Sequence, residues 1–86
     1  MNLTIIQKSI DYIEDNLKTD ITAKELSEMA GFSMFHYYRL FHSAVGLPVM
    51  QYITRRRLLN ALYDIHCGEK MVVVALDYGF ETQAGF

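Results

Sequence analysis

Residues 22–46 read TAKELSEMAGFSMFHYYRLFHSAVG, and the punctuation of this stretch decides the fold. Thr22 followed by Glu25 is the capping-box spacing that opens a helix. Leu26, Met29 and Ala30 fall on one face of that helix, and Gly31, able to take a left-handed backbone, ends it. Ser33 can cap a second helix with its hydroxyl. Within that helix Tyr37, Leu40, Phe41 and Ala44 recur at the spacing of a buried stripe, and Gly46 and Pro48 stop it. Two short helices across a glycine-containing turn form the pattern of a helix-turn-helix.

The opposite face of the second helix is the more informative one. Phe35, Tyr38, Arg39 and His42 repeat at i, i+3, i+4 and i+7. An ordinary solvated face would carry Lys and Glu; this one has two aromatics, a guanidinium and an imidazole, and no acid. Arginine can bond guanine in a bidentate manner, and apolar rings can contact thymine methyls in the major groove. The alternative is that Phe35 and Tyr38 belong to a wider core and Arg39 is a plain surface charge.

Composition sets the outer bounds. The chain has 86 residues, enough for one small domain with a modest core. A single cysteine, Cys67, precludes an intrachain disulfide and fits a reducing, cytoplasmic compartment. No apolar run is as long as a membrane span, and no signal-peptide pattern opens the chain, so no membrane partner is expected. The net charge of −2 is unusual for a nucleic-acid binder. Its distribution is uneven: residues 1–28 carry −3, residues 29–63 carry +4 with no acid at all, and residues 64–86 carry −3. The basic segment contains the proposed reading helix.

Around that centre the chain reads as all-α. Residues 3–18 form an amphipathic helix with Ile6, Ile10, Ile13 and Leu17 inward and Asp11, Glu14, Asp15 and Lys18 solvated. Residues 48–67 form one long connector whose apolar face switches sides, from Val49, Tyr52 and Ile53 to Leu58, Ala61, Leu62 and Ile65, so it touches two cores. Arg55, Arg56 and Arg57 in its middle suit phosphate contacts, or form a solvated face with one buried stem. Beyond it, VALDYGFE at 74–81 repeats LSEMAGFS at 26–33 with an offset of 48. With one extra residue in the turn, Thr82 matches the capping Ser33, and Phe86 the core Tyr37, so a second helix-turn-helix begins near Met71 and stops inside its reading helix. Its apolar face at Met71, Val74 and Phe80 then lacks its cover, which implies fraying or a dimer through this segment.

Helices are therefore expected over 3–18, 22–30, 34–45, 48–67 and 71–78, with no strand. Leu26, Tyr37, Leu40, Phe41 and Ile53 should be buried. The organisation is a first helix-turn-helix unit at 1–47, a connector at 48–68 and the start of a second, incomplete unit at 69–86.

Two such units on a long helix, with the string GFSMFHYYRLFHSAVGLPVMQYI, the connector RLLNALYDI and VALDYGFETQAGF, resemble the AraC/XylS family of bacterial transcription regulators. The position at the start of the chain resembles the MarA/SoxS/Rob-like branch. The resemblance implies sequence-specific binding to double-stranded DNA, with base contacts from Phe35, Tyr38 and Arg39 in the first reading helix and from Ala84 and Gly85 in the second. Backbone contacts are expected from Ser33, His42, Arg55, Arg56, Thr82 and Gln83. It also implies RNA polymerase as a partner and, in some members, an effector domain elsewhere in the parent chain. His42 stands where the family is commonly basic, and the overall charge is acidic where stand-alone members are basic. The other reading is a helical protein-interaction module anchored by Phe35 and Tyr38.

Enzyme chemistry finds no footing. His36, His42, His66 and Cys67 match no zinc spacing, Cys67 has no recognisable partner, and no glycine-rich phosphate loop is present. No metal, cofactor or catalytic residue is expected.

Overall fold

A computed structural model describes residues 3–80 as five helices, and no strand occurs among the described residues. They are α1 (Leu3–Asp15), α2 (Ala23–Ala30), α3 (Met34–Val45), α4 (Val49–His66) and α5 (Met71–Asp77). The expected Thr82 cap, the core role of Phe86 and the second reading helix fall outside the described residues. No helix among them is long and apolar enough to cross a membrane.

The punctuation works as the sequence implies. Thr22 Oγ1 accepts from the Glu25 N–H at 3.1 Å, and Glu25 Oε1 accepts from the Thr22 N–H at 3.0 Å, so two otherwise orphaned donors are satisfied reciprocally. Gly31 closes α2 at φ 79°, a left-handed conformation without the Cβ penalty other residues would incur. Its N–H donates to Glu28 O, and that of Phe32 to Ser27 O. Ser33 Oγ accepts from the His36 N–H at 3.1 Å and opens α3. Gly46, also left-handed, ends it.

One core fills the space among α1, α2, α3 and the first half of α4. Ile6, Ile13, Leu17, Ile21, Leu26, Tyr37, Phe41, Val49 and Ile53 are buried there. Tyr37 and Phe41 lie with ring centroids 6.0 Å apart, and Phe41 meets Tyr52 edge-on at 5.6 Å. The Tyr37 hydroxyl is hydrogen-bonded to Ser9 Oγ, which is why a polar Ser is tolerated on the buried face of α1. Burial pushes the Tyr37 phenol up, against the lowering effect of that bond.

α4 runs unbroken for 18 residues, about 27 Å, past all three arginines. Its second half meets α5 through Ala61, with Val74, Ala75 and Tyr78 buried and Ile65 and Phe80 half-buried. The expected change of buried face does not occur: Val49, Ile53, Ala61 and the half-buried Ile65 follow one i, i+4 row into a single core, and Leu58 and Leu62 lie off it. The Tyr78 hydroxyl donates to Asp64 at 2.9 Å, and Lys18 Nζ lies 5.1 Å from the Tyr78 ring centroid, linking the α1–α2 turn to α5.

Several expectations need correction. α1 ends at Asp15 rather than residue 18; residues 16–19 tighten into turns held by the Asn16 N–H on Ile13 O and the Thr19 N–H on Asn16 O, while Leu17 still reaches the core. Glu14 is not a solvated acid but is half-buried and paired with Arg56. Leu40 is only half-buried, and Ala44 is exposed, because the core direction of α3 drifts in its last turn toward Val45. Met29 is exposed and Ser27 buried, since the inward face of α2 centres between Leu26 and Ser27. Leu58 and Leu62 are substantially exposed, as is Met71, whereas Val74 is covered by α4.

Candidate nucleic-acid interface

α3 is held from behind and bare in front. Tyr37 and Phe41, fully buried, fix its inner side against α1 and α4. The Ser33 cap and the tilted Phe32–His36 ring pair, 4.5 Å between centroids, fix its N-terminal turn. A helix anchored in this way presents its outer row at a defined angle, which is what a base-reading element requires.

That outer row is the one expected. Phe35 is 69% exposed and Tyr38 39%, and Arg39 and His42 are exposed beside them. The wider-core alternative for Phe35 is thereby excluded. Arg39 Cζ lies 5.5 Å from the Phe35 ring centroid, so the ring supports the guanidinium one turn away. A shallow apolar groove runs beside this row, lined by Phe35, Tyr38, Arg39, His42, Pro48 and Met50. Pro48, read from the sequence only as a helix stop, and Met50 join the face because the Gly46 turn folds the start of α4 back toward α3.

The three arginines of α4 separate into different roles. Arg55 is exposed. Arg56 donates from Nε to Glu14 Oε2 at 3.0 Å and from Nη2 to Glu14 Oε1 at 2.9 Å, and the Tyr52 hydroxyl bonds the same carboxylate at 3.3 Å. The Glu14 hydrogen bond raises the Arg56 pKa further, while partial burial and Glu14 push the Tyr52 phenol up. Arg57 donates from Nε to Leu17 O at 2.9 Å and from Nη2 to Thr19 O at 2.7 Å, satisfying carbonyls left open where α1 ends. A carboxylate at i, i+3 or i+4 would have announced such a pair in sequence; Glu14 is 42 residues away.

Ser33, exposed at the N-terminus of α3, lies at the same end as Phe35. Thr82, Gln83, Ala84 and Gly85 lie outside the described residues. No group of three or more acidic, histidine or cysteine side chains that could hold a metal ion occurs among the described residues. His36 and His42 sit on α3, His66 ends α4, and Cys67 is exposed beyond it.

The chain is 39% identical over 85 residues to the uncharacterized HTH-type transcriptional regulator YbfP of Bacillus subtilis, covering 94% of this chain and 28% of that protein. It is 31% identical over 84 residues to the HTH-type transcriptional activator AarP of Providencia stuartii, covering 96% of this chain and 62% of AarP. It is 33% identical over 79 residues to the multiple antibiotic resistance protein MarA of Escherichia coli, covering 91% of this chain and 62% of MarA. The chain therefore spans less than two thirds of the length of each of these relatives. Residues 26–86 match the family described as a helix-turn-helix domain, a span that takes in the capped turn, the α3 face and the α4 connector. By that match, this chain belongs to the helix-turn-helix domain family of AraC/MarA-like transcription regulators.

Proposed function

We propose that this chain is a sequence-specific DNA-binding domain that lays α3 in the major groove. The observation that carries this reading is the pairing of Arg39 with Phe35 on the outer face of a helix whose inner face is locked by Tyr37 and Phe41. The names of the relatives, a transcriptional regulator and a transcriptional activator, support a regulator rather than an enzyme.

In this reading residues 1–47 form the first reading unit, 48–68 the connector and 69–86 the beginning of the second. Phe35, Tyr38 and Arg39 read base edges, joined by Ala84 and Gly85 from the second unit. Ser33, His42, Arg55, Arg56, Thr82 and Gln83 face the phosphates. Arg55 carries most of the phosphate attraction on α4, since Arg56 arrives with a carboxylate on one edge and can offer phosphate only its remaining N–H groups. RNA polymerase is the further partner of the parent protein.

The test is a pair of substitutions titrated against a selected site, its single-base variants and unrelated duplexes, at two salt concentrations. Arg39→Ala should cost about 1–3 kcal/mol on the selected site and relax the preference at one base pair. Arg55→Ala should weaken all sequences alike and reduce the salt slope by about one. Uniform weakening by Arg39→Ala would remove its base-reading role. Binding of a protein rather than DNA through Phe35 and Tyr38, nearly independent of salt, would replace this reading with the interaction module.

A further inference from the structure

Arg39 stands between two recesses. One is lined with it by Phe35, His36 and Leu40, the other by Phe35, Tyr38, His42, Pro48 and Met50. The second recess has a wall that packing does not explain. Val49 and Ile53 supply the buried contacts of this part of α4, whereas Phe35, Tyr38, Pro48 and Met50 all lie outside the core. Beyond Met50 the surface continues past Gln51 and Thr54 to the exposed Arg55. Guanidinium groups therefore stand at both ends, and residues 29–63 contain no acid.

An occupant that suits this surface is apolar in the middle and anionic at its margins. The edge of a DNA major groove has that character. Thymine's 5-methyl is the apolar group on its base edges, and phosphates border it. The other groups on those edges are hydrogen-bond donors or acceptors. Phe35 and Pro48 offer them no side-chain partner, and Met50 offers only a weakly accepting sulfur, so burial there would leave a polar base group unpaired.

We propose that this recess takes the 5-methyl group of a thymine adjoining the base pair that Arg39 reads, and that Met50, outside the reading helix, helps to set specificity. This assignment takes α3 to lie in the major groove, as proposed above. The thioether of Met50 is flexible and polarisable, which suits it to close on a methyl group. The Phe35 ring, 5.5 Å from Arg39 Cζ, supports the guanidinium at the rim, so one surface meets the bonded base and the neighbouring methyl together.

Deoxyuridine differs from thymidine only by that methyl. The 86-residue chain is titrated by fluorescence anisotropy against a duplex selected from a random pool, with each thymine in turn replaced by deoxyuridine. Replacement at one thymine should weaken binding about fourfold, the worth of one buried methyl group. Met50→Ala should weaken binding to the thymine duplex and shrink the penalty of that replacement to below about twofold, the coupling expected of two groups in contact. Met50→Leu, which keeps an apolar wall, should retain the penalty. Circular dichroism should show both variants as helical as the parent, since Met50 lies outside the core. If the chain prefers the selected sequence but no deoxyuridine weakens binding, or if Met50→Ala leaves the penalty unchanged, the methyl-reading role falls while the DNA reading stands. A chain that prefers no duplex sequence would overturn both and leave the recess to the apolar anchor of a protein.

Discussion

The two repeats of this chain share part of their inner pattern, with Leu26 and Ser27 buried as Val74 and Ala75 are, but Ala23 is buried where Met71 is exposed. In the first, α1, α2 and α3 close around Tyr37 and Phe41, and Thr22 and Glu25 cap α2 with two reciprocal hydrogen bonds. In the second, the far half of α4 and α5 share only Ala61, Val74, Ala75 and Tyr78 as buried residues, and Lys70 opens α5 with no side-chain cap. The contrast separates two kinds of constraint. Where both repeats pack a helix pair, at Leu26 and Val74 and at Ser27 and Ala75, the buried positions repeat. Positions facing water answer only to solubility and partners, so they are free to diverge.

The largest expected effect tests where the stability resides. Phe41→Ala should cost about 3–5 kcal/mol, because it empties a fully buried ring site between Tyr37 and Tyr52. Val74→Ala in the second repeat should cost about 1.5 kcal/mol, set by two methyl groups in a thinner core. Chemical denaturation of the two variants measures both, and equal costs would erase the distinction.

The helix starts make a smaller, sharper test. Thr22→Ala should destabilise by about 1 kcal/mol through loss of the capping box. Lys70→Thr should instead stabilise by about 0.5 kcal/mol, since the extended backbone at Lys70 (φ −72°, ψ 134°) already suits a capping residue. Thermal unfolding with opposite signs for the two substitutions is the expected result.

A further effect concerns pH. Burial, then the Asp64 hydrogen bond and nearby carboxylates, push the Tyr78 phenol from its ordinary value near 10 up to about 12. The folded state thus favours the neutral phenol. Its contribution is fully present below pH 10 and is lost as pH rises toward 12. Stability measured across that range should fall more steeply in the parent chain than in Tyr78→Phe.

Legibility in the sequence followed the range of the interactions. The ends of α2 and α3 were legible to within a residue because caps and left-handed glycines act over three or four positions. The outward row of Phe35, Tyr38, Arg39 and His42 was legible because helical periodicity assigns faces without knowledge of the partner. The end of α1 was not, since Arg57 holds the carbonyls of Leu17 and Thr19 from about 40 residues away. The role of Glu14 was missed for the same reason: its spacing on α1 fits a solvated face, and only the approach of α4 brings Arg56 and Tyr52 to it.

By itself, then, the sequence determined the helices, their turns, the family and the row on α3 offered to a partner. All of these follow from local caps, from a period near 3.6 residues or from a motif contiguous in the chain. Only the tertiary structure decided which of three adjacent arginines stays exposed, where the core of α3 ends, and which apolar residues of α4 and α5 remain in water. Each of those depends on a side chain brought close by folding rather than by the chain, and no local spacing encodes that approach.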